Sequence, residues 1–253
     1  MNEAPILVAR DLHLRYGRIA ALDGVSMQVW PGEVLAVVGE SGSGKTTLLR
    51  VLHGDLIPDS GSVVYDRHDI HAIGEPARKS LARGAWGFVH QNPRDGLRMA
   101  VSAGGNIGER LMAAGDRHWG NIRAAAIDWL ARVEIPADRV DDPPRKFSGG
   151  MQQRLQIARV LVTRPRLVFM DEPTGGLDVS VQARLLDLIR RLTHELSLAT
   201  VIVTHDLAVA RLLADRTVVM QGGRIVETGL TDQVLDDPQA PYTQLLVSSV
   251  LTA

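Results

Sequence analysis

The sequence contains no cysteine, which excludes disulfides, thiolate nucleophiles and cysteine metal sites and fits a reducing compartment. It also lacks a surplus of charge: 28 Lys and Arg stand against 29 Asp and Glu, a formal net charge of -1. Without a basic footprint, no nucleic-acid partner is expected. Between Met1 and Asp11 no basic segment precedes an apolar one, so no signal peptide is expected. No apolar run approaches the ~18 residues that a membrane-spanning helix needs. These absences lead to the expectation of a soluble, cytoplasmic protein. Its 253 residues suit one large or two small domains with a full core.

What is present centres on Gly39-Glu40-Ser41-Gly42-Ser43-Gly44-Lys45-Thr46, followed by Thr47. The apolar run Val34 to Val38 precedes it as a strand, and Thr47 to Leu52 reads as the first turns of a helix. Strand, glycine loop and helix in the pattern G-x-x-x-x-G-K-[ST] form a P-loop. Glycines let the backbone close around phosphate oxygens, successive N–H groups and the helix N-terminus bind the anion, and one lysine adds a point charge. Lys45 would reach the β- and γ-phosphates and Thr46 would hold Mg²⁺. The four fixed positions recur by chance in roughly one chain of this length in a hundred, and the flanking strand and helix make chance rarer still.

Along the chain, Ile6 to Tyr16 and Val25 to Trp30 alternate as strands, an antiparallel layer that Ser62 to Tyr65 could extend. From Pro76 to Ala114 the pattern is irregular. Apolar residues at helical spacing predict a helix from Asn121 to Val133. Asp141-Asp142-Pro143-Pro144 breaks the chain, and Ser148 then caps a helix with Met151, Leu155, Ala158, Leu161 and Val162 as its apolar stripe. Leu167 to Met170 reads as a strand covered on both faces, as in a parallel sheet. A helix from Val181 to Leu196, a strand from Ala199 to Thr204, a short helix from Leu207 to Ala214 and a hairpin across Gly222-Gly223 complete the order. Alternating strands and helices around a P-loop predict a mainly parallel α/β core.

A P-loop says only that a nucleotide phosphate is bound. Asp171, ending a buried strand expected beside the P-loop strand, could hold Mg²⁺ through its water shell. Glu172 could take a proton from the attacking water. An acidic pair at a helix start is the plainer reading, but its place after four apolar residues downstream of a P-loop favours the catalytic one. His68 and His71, three apart with no third ligand near, read as a surface pair. Trp86 and Trp119 read as packing residues.

Phe147-Ser148-Gly149-Gly150-Met151-Gln152-Gln153-Arg154 resembles the signature motif of ATP-binding-cassette (ABC) ATPases, and the likeness covers nearly the whole chain. It implies that Tyr16 stacks on adenine, that Gly39, Ser41, Gly42, Ser43, Gly44, Lys45, Thr46 and Thr47 bind the ATP phosphates, and that Gln91 lies near Mg²⁺ and the water. Asp171 and Glu172 resemble the metal-binding and catalytic acidic pair, Asp178 the D-loop aspartate, and His205 the switch histidine that senses γ-phosphate. It further implies one ABC ATPase domain over 1–253. Its core with the antiparallel β-subdomain would take about 1–91 and 164–253, the helical subdomain about 92–163, and the tail 231–253. A helix start capped by Ser148, with Gly149 and Gly150, is a second anion site. In the family it closes over the ATP of a second copy or a homologous subunit, head to tail. Two positions depart from the usual signature: Phe147 stands for leucine and Met151 for glutamine, the latter removing a polar group near the partner's nucleotide.

The tail Asp237 to Leu246 is similar to that of the oligopeptide-importer branch, which implies docking on transporter membrane subunits. Asp95 to Met112 and Phe147 to Arg159 resemble ABC-type subunits of the phosphonate carbon-phosphorus lyase system, which dock on a lyase core complex. Three readings follow: an ATPase serving the lyase core, which is favoured; the energy-coupling subunit of an importer for phosphonates, peptides or nickel; and an ATP-dimerised regulatory module. The basic residues Arg78, Lys79, Arg83, Arg94, Arg98 and Arg110 read as a solvated face or as a docking surface for an acidic partner.

Overall fold

In this computed structural model, which describes residues 4–251, ten strands are found among the described residues. They are β1 (Leu7–Tyr16), β2 (Ile19–Val29), β3 (Val34–Val38), β4 (Ser60–Tyr65), β5 (His68–Asp69), β6 (Trp86–Val89), β7 (Leu167–Asp171), β8 (Ala199–Val203), β9 (Arg216–Gln221) and β10 (Arg224–Leu230). The chain divides into two compact units, residues 1–78 with 192–253, and residues 79–191.

The first unit carries two sheet systems. One is an antiparallel sheet in the order β2-β1-β4-β5, the layer expected from the alternating N-terminal segments. In the other, β3 pairs in parallel with β8 on one side and with β9 on the other, and β9 pairs antiparallel with β10. Every residue of β3 and β8 is buried, as unbroken Val/Ile/Leu/Ala runs require when both faces are covered. Both edges of the P-loop strand are thus taken by β8 and β9. The expectation that the Asp171 strand lies directly beside it is corrected. Leu48, Leu49, Val51 and Leu52 bury one side of the helix Lys45–His53, and Gly54 ends it in the left-handed region at φ 89°, a conformation glycine adopts without steric cost.

In the second unit β6 and β7 pair in parallel, with Val89 opposite Met170. This unit also holds the helices Ala103–Ala113, Trp119–Arg132 and Gly149–Leu161 and most of Val179–Glu195. The stretch read as irregular from Pro76 to Ala114 holds β6 and three helices, Glu75–Gly84, the single turn Pro93–Gly96 and Ala103–Ala113. Trp86 is fully buried, in line with packing, whereas Trp119 is 69% exposed at the start of its helix and is not a packing residue. Among the described residues, no helix is long and apolar enough to cross a membrane.

Candidate functional site

In the first unit the P-loop leaves the carboxyl end of β3, where ligands of open parallel sheets are bound. Gly39 has φ 147°, and a Cβ there would stand 2.2 Å from the Met220 carbonyl oxygen. At Gly44, φ is 104° and a Cβ would meet the Ala21 carbonyl at 2.3 Å. Only glycine fits either position. Gly44 is also the N-cap of the helix Lys45–His53, with no side chain over the first-turn N–H groups, which leaves them to face an anion. The hairpin turn supports the loop from behind, through Gly223 N–H to the Ser43 carbonyl at 2.9 Å.

Lys45 is 6% exposed, and its Nζ donates to the Gly39 carbonyl at 2.8 Å and the Glu40 carbonyl at 2.7 Å. The Ser43 hydroxyl is buried without a protein partner. A buried ammonium, an orphaned hydroxyl and two backbone cradles that any Cβ would fill suit a polyphosphate. Ser41, Gly42 and Thr46 are exposed and Thr47 half-buried along the same loop. His205 is exposed just beyond β8, which lies beside β3. Its turn is fixed by Thr204 N–H donating to the Val37 carbonyl at 3.1 Å and by Asp206 N–H donating to the Thr204 hydroxyl at 3.0 Å. Tyr16 ends β1, 52% exposed.

The second unit builds its part from parallel strand ends. The Gln91 loop follows β6, Asp171 ends β7 and Glu172 follows it. Gln91 Nε2 donates to Glu172 Oε2 at 2.9 Å. Glu172 adopts φ 40°, a left-handed conformation that costs a non-glycine residue about 1–2 kcal/mol. Its carbonyl accepts from Gly175 N–H at 2.9 Å. Strain of this sort gathers at functional sites. Gly175 is small because a Cβ there would sit 3.2 Å from Gln91 Nε2.

Ser148 caps the helix Gly149–Leu161, its Oγ accepting from Met151 N–H at 3.3 Å. Gly149 is exposed, while Gly150 is buried where a Cβ would strike Val181 at 2.5 Å. Phe147 is 6% exposed beneath the Arg139 guanidinium, 5.0 Å from its ring centre. Asp178 is exposed, and its carbonyl starts the helix Val179–Glu195 by accepting from Gln182 N–H at 2.8 Å. Between these elements lies a pocket of about 410 Å³, lined by Gln91, Asn92, Gly149, Gln152, Gly176 and Leu177 among others.

Two residues of that helix do work that sequence reasoning missed. Gln156 Oε1 accepts from His90 N–H at 2.8 Å, and the Nε2 atoms of Gln156 and Gln153 donate to the His90 carbonyl at 3.1 and 3.2 Å. The residue before Gln91 is thus held at both polar atoms by the helix that starts at Ser148. Two buried glutamines three apart within an apolar stripe are the signal that could have found them. A third missed residue is Tyr242, whose hydroxyl accepts from Glu40 N–H at 3.1 Å.

Arg98 pairs with Glu109 at 2.8 Å. Arg110 is drawn inside and donates to the Trp86 carbonyl at 3.3 Å; burial, then the like charge of Arg159, press its pKa below the usual arginine value. Arg94 stays exposed, and the side chains of Lys79 and Arg83 lie outside those described. His71 Nε2 lies 3.1 Å from the Val51 carbonyl and His68 Nδ1 2.9 Å from that of Asp66.

A family model described as ABC transporter matches residues 22–175. The chain is 64% identical, over 99% of both chains, to the Escherichia coli phosphonates utilization ATP-binding protein PhnK. It is 39% identical to the Escherichia coli dipeptide transport ATP-binding protein DppF, over 98% of this chain and 77% of that one. Among solved structures, cbiO1 of the Clostridium perfringens ABC transporter complex cbiONQ superposes with a TM-score of 0.83 at 30% identity, covering 93% and 92% of the two chains. The ATP-binding cassette MJ0796, dimeric and bound to ADP and phosphate, superposes at 0.81 with 27% identity over 89% and 98%.

Proposed function

The chain belongs to the ABC transporter family and is an ATPase, and on that premise we propose that it is the ATP-hydrolysing subunit of a carbon-phosphorus lyase system. It would act in the cytoplasm as a nucleotide-driven dimer on the lyase core complex, in the breakdown of organic phosphonates. The observation that carries the phosphonate assignment is the end-to-end likeness to the Escherichia coli phosphonates utilization protein. Likeness to a dipeptide transport protein supports the second reading, an importer subunit docked on membrane partners.

In the proposed chemistry the P-loop N–H groups and Lys45 bind and orient the ATP phosphates, and Tyr16 stacks on the adenine. Mg²⁺ would be held by Thr46, Asp171 and Gln91. Bound there, it would supply positive charge against the negative charge that develops on the transferring phosphate. Glu172 accepts a proton from the attacking water as that water's oxygen bonds to the γ-phosphorus and the bond to the ADP oxygen breaks. Gln91, hydrogen-bonded to Glu172, orients that carboxylate, and His205 reads the γ-phosphate. Ser148, Gly149 and Gly150 close over the ATP of the second copy, with Asp178 at the same junction. ATP would stabilise the closed dimer by binding it better than the open one.

A pull-down of the native protein with and without ATP tests the assignment. Recovery of the carbon-phosphorus lyase core proteins, altered by ATP, is expected. Recovery of a multi-span membrane protein in their place would overturn it in favour of the importer reading.

A further inference from the structure

We propose that Tyr242, in the C-terminal tail, is a positioning residue for nucleotide binding that fixes the entry peptide of the P-loop. The peptide between Gly39 and Glu40 is gripped at both ends. Its carbonyl accepts from Lys45 Nζ at 2.8 Å, and its N–H donates to the Tyr242 hydroxyl at 3.1 Å. A peptide unit is planar, so two such bonds set its orientation, and with it the direction from which Lys45 reaches out. The pin has a local purpose. Gly39, at φ 147°, is a residue whose backbone is free to rotate, and no other described hydrogen bond holds this N–H.

The tail is built to deliver that hydroxyl. The helix Pro241–Leu251 lays Tyr242, Leu246 and Val247 against the buried cluster that includes Val38, Val219 and Leu235. Val38 is the last residue before the P-loop, so the cluster that Tyr242 packs against reaches the start of the loop that its hydroxyl bonds. Where the helix begins is set by Glu227 of β10, whose carboxylate accepts from the N–H groups of Gln239 at 2.8 Å and Ala240 at 3.0 Å. Desolvation favours the neutral acid, but the Gln239 N–H, the Thr243 side chain and the Ala240 N–H together outweigh it and hold the Glu227 pKa below its usual range. Near neutral pH the anchor is therefore charged.

The inference rests on reading the P-loop as the ATP site, and the test separates the two. MgATP affinity, steady-state turnover and the exchange rate of the Glu40 amide by nuclear magnetic resonance are measured for the full chain and for Tyr242→Phe, Tyr242→Ala and Lys45→Ala. The phenylalanine keeps the packing and removes only the hydroxyl. It is expected to weaken ATP affinity about three- to tenfold, the worth of one net hydrogen bond, with kcat at saturating ATP unchanged. Glu40 amide exchange should accelerate, and the melting temperature should fall by about 2–4 °C, as loss of one net hydrogen bond implies for a chain of this size. A purely structural role would leave Tyr242→Phe with parental affinity and Glu40 exchange while Tyr242→Ala alone lost stability, and that result would overturn the inference. Parental affinity in Lys45→Ala would instead overturn the P-loop reading beneath it.

Discussion

Gly42 and Gly44 sit two residues apart in one loop under different constraints. Both have positive φ, 82° and 104°, but a Cβ at Gly42 meets nothing within 4 Å whereas one at Gly44 meets the Ala21 carbonyl at 2.3 Å. Gly42→Ala adds backbone strain alone, about 1–2 kcal/mol. Gly44→Ala adds a clash with backbone that has no room to retreat and is expected to cost roughly 3 kcal/mol or more. At about 2–4 °C per kcal/mol for a chain of this size, thermal melts should show at least about a 6 °C loss for Gly44→Ala and distinctly less for Gly42→Ala. Equal shifts would contradict this account of the loop. The loop itself was legible in the sequence because its geometry demands fixed residue types at fixed spacing. Tyr242 was not, because its partner Glu40 is 202 residues away and no local pattern records such a contact.

At the scale of elements, the helix Gly149–Leu161 matters as much for what it holds as for its glycine start. Gln156 is 1% exposed and supplies two bonds to His90. Gln156→Leu would remove the partner of the His90 N–H, at about 1–3 kcal/mol, leave the His90 carbonyl to Gln153, and loosen the loop that carries Gln91. The expected outcome is a kcat lowered about tenfold or more with the KM for ATP little changed, since the P-loop is untouched; steady-state kinetics over a range of ATP concentrations check it. Periodicity read most elements correctly, including the strands before and after the P-loop and the helix capped by Ser148. It failed from Pro76 to Ala114 for a packing reason. A Cβ at Gly104 would meet Val140 and one at Gly108 would meet Ile122, each at 2.7 Å. Close approach to Val140 and Ile122 therefore selects glycines that weaken the helical signal.

For the whole molecule, the family match and the likeness to ABC cassettes show an ATPase. The P-loop, Tyr16 and His205 belong to one compact unit, and Gln91, Ser148, Asp171, Glu172 and Asp178 to the other. Resemblance alone supplied the second copy that would complete each site. The central claim is that Glu172 is the base and that ATP closes a dimer. Glu172→Gln keeps the shape of the side chain and removes the proton acceptor. With MgATP, size-exclusion chromatography with light scattering should show this variant as a stable dimer, while its phosphate release falls by at least about a hundredfold, within the range for loss of a general base. Parental phosphate release, or a variant that stays monomeric with MgATP, would contradict the account.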